Sequence, residues 1–307
     1  MFNQSEWHET GSGRVGGESF YPRVHLRCEN WDTNYQAIPD YTLLVTDETD
    51  RPTFQPTQLS HVTTFNAAKE IFSSRRFTSQ KRKKIGENVE ERFSWWSFEI
   101  DEREIERERN KYREIIDRKA QNTDILLHCF SSPAFQRGSR YGNFKFTYDI
   151  SGLMDLYQGS VCAGQPPEVR VLGTFKYKQE VMHAVVVYCP GTSLFDDCPD
   201  IPSDPEAVIS KSDQGWMWRP DSTGVKLDSP PFYRSWDHVG FAFHLPGGCS
   251  GFPVPPGFPP LTYCEIIKPD ISKSDPKKEE EFDQCLEELR EIWEANSPAD
   301  NAEGASG

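Results

Sequence analysis

LSHVTTFNAAKEIFS, running from Leu59 to Ser73, changes its hydrophobic period part-way along. Leu59 to Thr63 alternates as a short strand does, whereas Ala67, Ala68, Ile71 and Phe72 recur at the spacing of one helix face. Thr64 or Asn66 supplies a side-chain oxygen where a helix from about Asn66 to Ser73 needs its first backbone N–H groups satisfied. Strand, cap and helix thus follow without slack, which points to an α+β fold.

Working outward, Phe93 to Ile100 is aromatic and β-favouring, and Asp101 to Ala120 is a dense run of Glu and Arg with acid-base pairs at helical spacing. That run predicts a charged surface helix resting on a narrow stripe of Ile105, Tyr112, Ile115 and Ile116. Further strands are expected at Ile125 to Phe130, Phe144 to Ile150, Val169 to Phe175, Glu180 to Tyr188 and Val239 to Leu245, with a short helix at Gly152 to Tyr157 and an edge strand within Leu261 to Ile267. Gly191 to Pro231 reads as a long ordered excursion anchored by Trp216 and Trp218. Before Asp50 the one good strand candidate is Tyr41 to Thr46. Four divisions follow: a loosely structured segment 1–50, a single α+β domain 51–270, a C-terminal amphipathic helix within 271–296 carrying Phe282, Leu286, Leu289, Ile292 and Trp293, and a disordered tail 297–307.

Composition narrows the function classes. The 307 residues carry a net charge of -14, which argues against the body as a general nucleic-acid binder. With 36% hydrophobic and 13% aromatic residues, burial must lean on rings more than on aliphatics. One basic cluster stands out, Arg75, Arg76, Lys81, Arg82, Lys83 and Lys84, read as a solvated loop, an anion site or a nuclear-import signal. Neither a signal peptide nor a membrane span is expected, so the reading is a soluble protein of the cytosol or nucleus. The eight cysteines form no CxxC, and free, mostly buried thiols are expected; no metal is expected, since His25, Cys28, His128 and Cys129 lack the paired spacing of zinc modules. GxSxG, HExxH, P-loop and dinucleotide GxGxxG elements are absent from the sequence.

Three segments carry candidate chemistry: His61-Val62-Thr63 at a strand end, Phe93-Ser94-Trp95-Trp96-Ser97, and Lys178-Gln179-Glu180 opening an apolar strand. In this order they resemble the three-part plan of the ADP-ribosyltransferase superfamily, over about residues 59–188. The resemblance implies a mostly antiparallel β-sheet core with short helices, and NAD as substrate for transfer of ADP-ribose to an acceptor. It implies that His61, supported by Thr63, binds the adenosine ribose and that Trp95 or Trp96 stacks on nicotinamide. Glu180 would then stabilise the positive charge that builds on the ribose as the nicotinamide bond breaks, so Glu180 and His61 form the expected catalytic pair. Val62 stands where the family has Gly, and Tyr141, in Arg140-Tyr141-Gly142-Asn143, would have to supply the family's tyrosine from another strand.

Two other readings compete. One is a catalytically inactive interaction module that meets a protein partner through the C-terminal helix and the aromatic loops holding Trp216, Trp218, Phe232, Tyr233 and Trp236. The other is a nucleic-acid-linked factor, which requires the 75–84 cluster to lie beside Trp95 and Trp96.

Overall fold

The computed structural model describes residues 24–26, 41–43, 52–78, 83–85, 89–119, 135, 138–139, 141–177, 180–196, 198–204, 207–220, 223–225, 236–266 and 277–296. Eight strands form its main sheet: β1 (Val24–Leu26), β2 (Gln58–Thr63), β3 (Val89–Glu99), β4 (Phe144–Asp149), β5 (Glu168–Tyr177), β6 (Glu180–Tyr188), β7 (Trp236–Leu245) and β8 (Leu261–Tyr263). Their order across the sheet is β1-β5-β6-β7-β3-β2-β4-β8, and Lys83–Ile85 adds a ninth strand by pairing with the start of β3. Every pair in this sheet is antiparallel except β6 with β7. A parallel pair cannot be closed by a tight turn and needs a long crossover. The excursion after β6 is that crossover, and the hairpin of Ile209–Ser212 with Gly215–Trp218 belongs to it.

Side chains alternate across the sheet, so adjacent residues of one strand serve different faces. On one face Leu59, Trp96, Phe98, Phe146, Val185, Val187, Phe241 and Phe243 are all buried in a single core. Rings dominate it as the composition requires: Phe77 meets Trp96 edge-on at 4.8 Å, and Trp216 meets Phe241 at 5.0 Å. Trp216 and Trp218 are 7% and 0% exposed. They are therefore core anchors, and the expectation that they form a partner surface is corrected; Phe232 and Tyr233 lie outside the described residues.

Helix α1 (Phe65–Ser74) leaves β2 through Thr64, whose Oγ1 accepts a hydrogen bond from the Ala67 N–H. Ala68, Ile71 and Phe72 face inward, and the helix stops at Arg75 in the left-handed region, φ 53°. Of the stripe expected on helix α2 (Glu102–Lys119), the side chains of Tyr112, Ile115 and Ile116 lie outside the described residues. Ile105 is buried, but Glu104 also accepts the Gln55 N–H at 2.8 Å and Arg109 donates to the Phe135 carbonyl at 3.3 Å. Helix α3 (Ile150–Ser160) follows β4 and buries Leu153 and Tyr157.

Helix α4 (Glu279–Ala295) packs on α1 and buries Phe282, Cys285, Leu289 and Trp293. Glu279, Glu280 and Glu281 sit in its first turn, where they complement the exposed N–H dipoles. Asn143 fixes its approach: Nδ2 donates to the Cys264 carbonyl and Oδ1 accepts the Lys277 N–H, both at 2.9 Å. Docking is thus what the amphipathic face of this helix does.

Two sequence expectations change. Val24–Leu26 joins the main sheet as a strand against β5, and Tyr41–Leu43 pairs with Thr223–Val225 in a separate two-stranded sheet. Cys162 and Cys189 are joined in a disulfide, whereas Cys249, Cys264 and Cys285 are free thiols as expected. The expected strand at 125–130 and the tail lie outside the described residues. No described helix is long and apolar enough to cross a membrane.

Candidate functional site

His61 is the third position from the end of β2, before the Thr64 cap. Its Nδ1–H donates to the Trp95 carbonyl at 2.8 Å, which fixes the tautomer and leaves Nε2 as the bare nitrogen. The residue keeps some accessible surface, yet its ring lies 5.3 Å from Phe77 and from Trp96 and 6.3 Å from Phe146. Burial holds the imidazole below its ordinary value of 6.5, and the hydrogen bond to Trp95 opposes this only in part. His61 is therefore neutral at pH 7 and serves the aromatic core.

That depression has a testable sign. The unfolded chain binds a proton near pH 6.5 that folded His61 refuses, so the contribution is intact above that pH and lost as pH falls through it. The urea midpoint of the wild type is expected to decline on acidification below about pH 6.5 more steeply than that of His61→Phe. Parallel slopes in the two proteins would show the imidazole to be freely protonated.

Thr63 and Tyr141 lie at the same end of the sheet as His61. Gly142 presses on the Thr63 carbonyl so closely that an added Cβ would stand 2.0 Å from its oxygen, and Tyr141 beside it is 58% exposed. Trp95 and Trp96 are on the neighbouring strand, but on different faces. Trp96 is 1% exposed, in contact with Phe77, Tyr148 and Phe252, and donates through Nε1 to Ser94. A ring so enclosed offers no plane for a ligand to stack on.

Glu180 does not join this group. The registers place Ala184 beside Gly240, Gly240 beside Ser97, and Ser97 beside Ser60, so His61 lies level with Val185. Glu180 pairs with Trp236 at the opposite end of the strands, three strands away and five register steps down. At about 4.8 Å per strand and about 3.3 Å per residue, the two backbones are on the order of 20 Å apart. Five is odd, so the two positions also belong to opposite faces. The expectation that His61, a Trp and Glu180 line one cleft is corrected: the structure gathers His61, Thr63, Tyr141 and the Trp95 backbone, and leaves Glu180 elsewhere.

On the second face Phe93, Val186, Tyr188, Phe195 and Ala242 form a smaller core against which Trp95 packs, and from there to β4 the face is partly open. Trp95, Ser97 and Glu99 alternate with the sealed Trp96 and Phe98 and are each half-buried. Gly240 lies beneath Trp95; a Cβ there would meet Met182 Sδ at 2.7 Å and Trp95 Cε3 at 3.5 Å. Across β2, Lys145 and Glu99 form an ion pair, with Thr147 beside it on β4. Sequence reasoning placed Trp95 and Ser97 in a candidate segment but missed Glu99 and Lys145; the pleat of β3, which sends Trp95, Ser97 and Glu99 to one face, carries the signal.

Burial pushes the nearby Cys264 thiol up to about 11, with Lys145 pulling it down and Glu99 adding to the rise, so it is protonated at neutral pH. The described residues contain no group of His, Cys, Asp and Glu able to hold a metal. Along α2 a cavity of about 350 Å³ is lined by Ile105 and Phe135 with Glu102, Glu106, Arg109 and Arg113; none of the predicted site residues borders it.

The basic cluster is divided. The Arg75 guanidinium stacks 3.8 Å from the Trp293 ring centre and donates to the Trp293 carbonyl, and Arg76 donates to the Gly251 carbonyl. Lys83 and Lys84 stand opposite Glu91 and Glu90 in the hairpin register. The side chains of Lys83 and Lys84, and Lys81 and Arg82 altogether, lie outside the described residues. No family model matches the chain, and the searches of curated proteins and of solved structures found no match.

Proposed function

We propose that this chain works by binding rather than by turnover, as a recognition module that presents the half-open face of its sheet to a partner. The observation that carries this reading is the division of labour in β3. Trp96 and Phe98 complete the core, whereas Trp95, Ser97 and Glu99 are held rigidly with part of their surface in solvent. An amphipathic ring that packs on Phe93 yet keeps part of its surface in solvent, on the same strand as Ser97 and the Glu99 of a Lys145–Glu99 pair, is the composition of a contact surface. It is also a different surface from the C-terminal helix and the Trp216–Trp218 hairpin, which are engaged by the body.

The transferase reading makes the opposite demand on the same molecule, and one assay separates them. Incubated with NAD, the full chain is expected to release no nicotinamide above buffer, and Glu180→Gln is expected to behave identically. Nicotinamide release that disappears in Glu180→Gln would overturn the binding-only reading and restore the carboxylate to a catalytic role. In affinity capture from the source cells, a bound protein is expected to be lost with Trp95→Ala while that variant keeps its cooperative unfolding. A partner retained by Trp95→Ala would move the contact surface elsewhere.

A further inference from the structure

The Cys162–Cys189 bridge joins the turn after α3 to the residue that follows β6. Its Cα atoms stand 5.0 Å apart, within the range a disulfide spans without backbone movement. The two sulfurs are not equivalent: Cys162 is 5% exposed, whereas Cys189 is half-buried. A thiolate from solvent therefore reaches the bond at Cys189 and expels Cys162.

Two further observations separate this bridge from a structural staple. Chains built on disulfides pair their cysteines, yet among the described residues Cys249, Cys264 and Cys285 remain thiols beside this bond. The turn it closes also stores strain. Ala163, next to Cys162, has φ 50°, a left-handed conformation that is unfavourable for a residue with a side chain. Backbone bonds from Val161 and Cys162 to the Tyr157 carbonyl and from Gly164 to the Gln158 carbonyl hold that turn on one side, and the bridge holds it on the other. Beneath it the Tyr157 hydroxyl lies 3.9 Å from Cys189 Sγ and donates to the His244 carbonyl, so one buried ring touches α3, the end of β6 and β7 together.

We infer that Cys162–Cys189 is a reversible redox latch that clamps the α3 turn to this end of the sheet and is opened by a dithiol. In the opening step a dithiol thiolate attacks Cys189 Sγ, and the S–S electron pair leaves on Cys162, which takes a proton. The second thiol of the reductant then attacks the mixed disulfide and releases Cys189 as a thiol. The reductant becomes a disulfide and the protein pair gains two electrons and two protons.

The test equilibrates the folded full chain in mixtures of reduced and oxidised dithiothreitol, alkylates it, and reads Cys162 and Cys189 by peptide mass spectrometry, with limited proteolysis of the 161–165 turn in parallel. Both cysteines are expected to become alkylated while the chain still unfolds cooperatively, and cleavage at the turn is expected to rise about tenfold. Cys189→Ser and Cys162→Ala are each expected to show the faster cleavage in either buffer. The latch is overturned if the pair resists the dithiol until urea unfolds the chain, if it is alkylated even in the oxidised mixture, or if reduction leaves cleavage unchanged.

Discussion

Replacing Gly142 by alanine is expected to destabilise the fold by about 3 kcal/mol or more, a loss beyond the ordinary range for a surface loop. The added Cβ would stand 2.0 Å from the Thr63 oxygen, 2.2 Å from its carbonyl carbon and 2.6 Å from the Thr64 nitrogen. These are backbone atoms, so no side chain can swing aside. A φ of 151° adds its own strain for any residue with a Cβ. Relief requires pulling the start of β4 from the end of β2, where Thr64 caps α1 and Asn143 guides the chain into α4. The urea midpoint reports the effect, and Gly159→Ala is the control: nothing lies within 4 Å of that Cβ, and in a helix the change is neutral or stabilising by about 0.5–1 kcal/mol. Equal behaviour of the two variants would mean that the loop does not press on β2.

Deleting residues 275–307 is expected to unfold the body, not merely to remove an appendage. Helix α4 buries Phe282, Leu289 and Trp293 to 8%, 0% and 8% exposure, and the groups it covers include Phe72 and Phe144. Truncating any one such side chain costs about 2–5 kcal/mol, and a typical domain has only about 5–15 kcal/mol in all. The truncated chain should be recovered in inclusion bodies or melt without a cooperative transition. Trp293→Ala alone should lower the urea-derived stability by about 3–5 kcal/mol, since Arg75 loses its stacking partner as well. A truncated body that unfolds cooperatively at the wild-type midpoint would show the helix to be dispensable.

The fold was legible where one element announces itself locally. Thr64 followed by Ala67, Ala68, Ile71 and Phe72 reads as a capped amphipathic helix, and the structure places it at Phe65–Ser74. Strands with dense β-branched or aromatic content, such as Glu180–Tyr188, were equally plain. Val24–Leu26 was not, because three residues carry too little period to register. The disulfide was invisible for a different reason: Cys162 and Cys189 share no motif, and only the packing of α3 against the sheet brings them together.

The candidate site was legible in parts and misleading in their assembly. Trp95 and Trp96 are adjacent, so the pleat sends one to each face, and that much follows from the sequence. The order of motifs along a chain, however, carries no information about the order of strands in a sheet. β7, supplied from residues 236–245, lies between the strand of Glu180 and that of Trp95, and the parallel match of β6 to β7 sends Glu180 to the far end. Such non-local pairing has no signature within a fifteen-residue window.

That same placement of β7 has a consequence for synthesis. When β3 leaves the ribosome, its permanent neighbour on one side is still almost 140 residues from being made, as the numbering of Glu99 and Trp236 requires. Until then the nascent chain carries an aromatic strand with one unsatisfied hydrogen-bonding flank, a template for pairing with other chains. The centre of the sheet therefore stays open until β7 emerges, and pairing with other chains during elongation is the hazard this topology must meet.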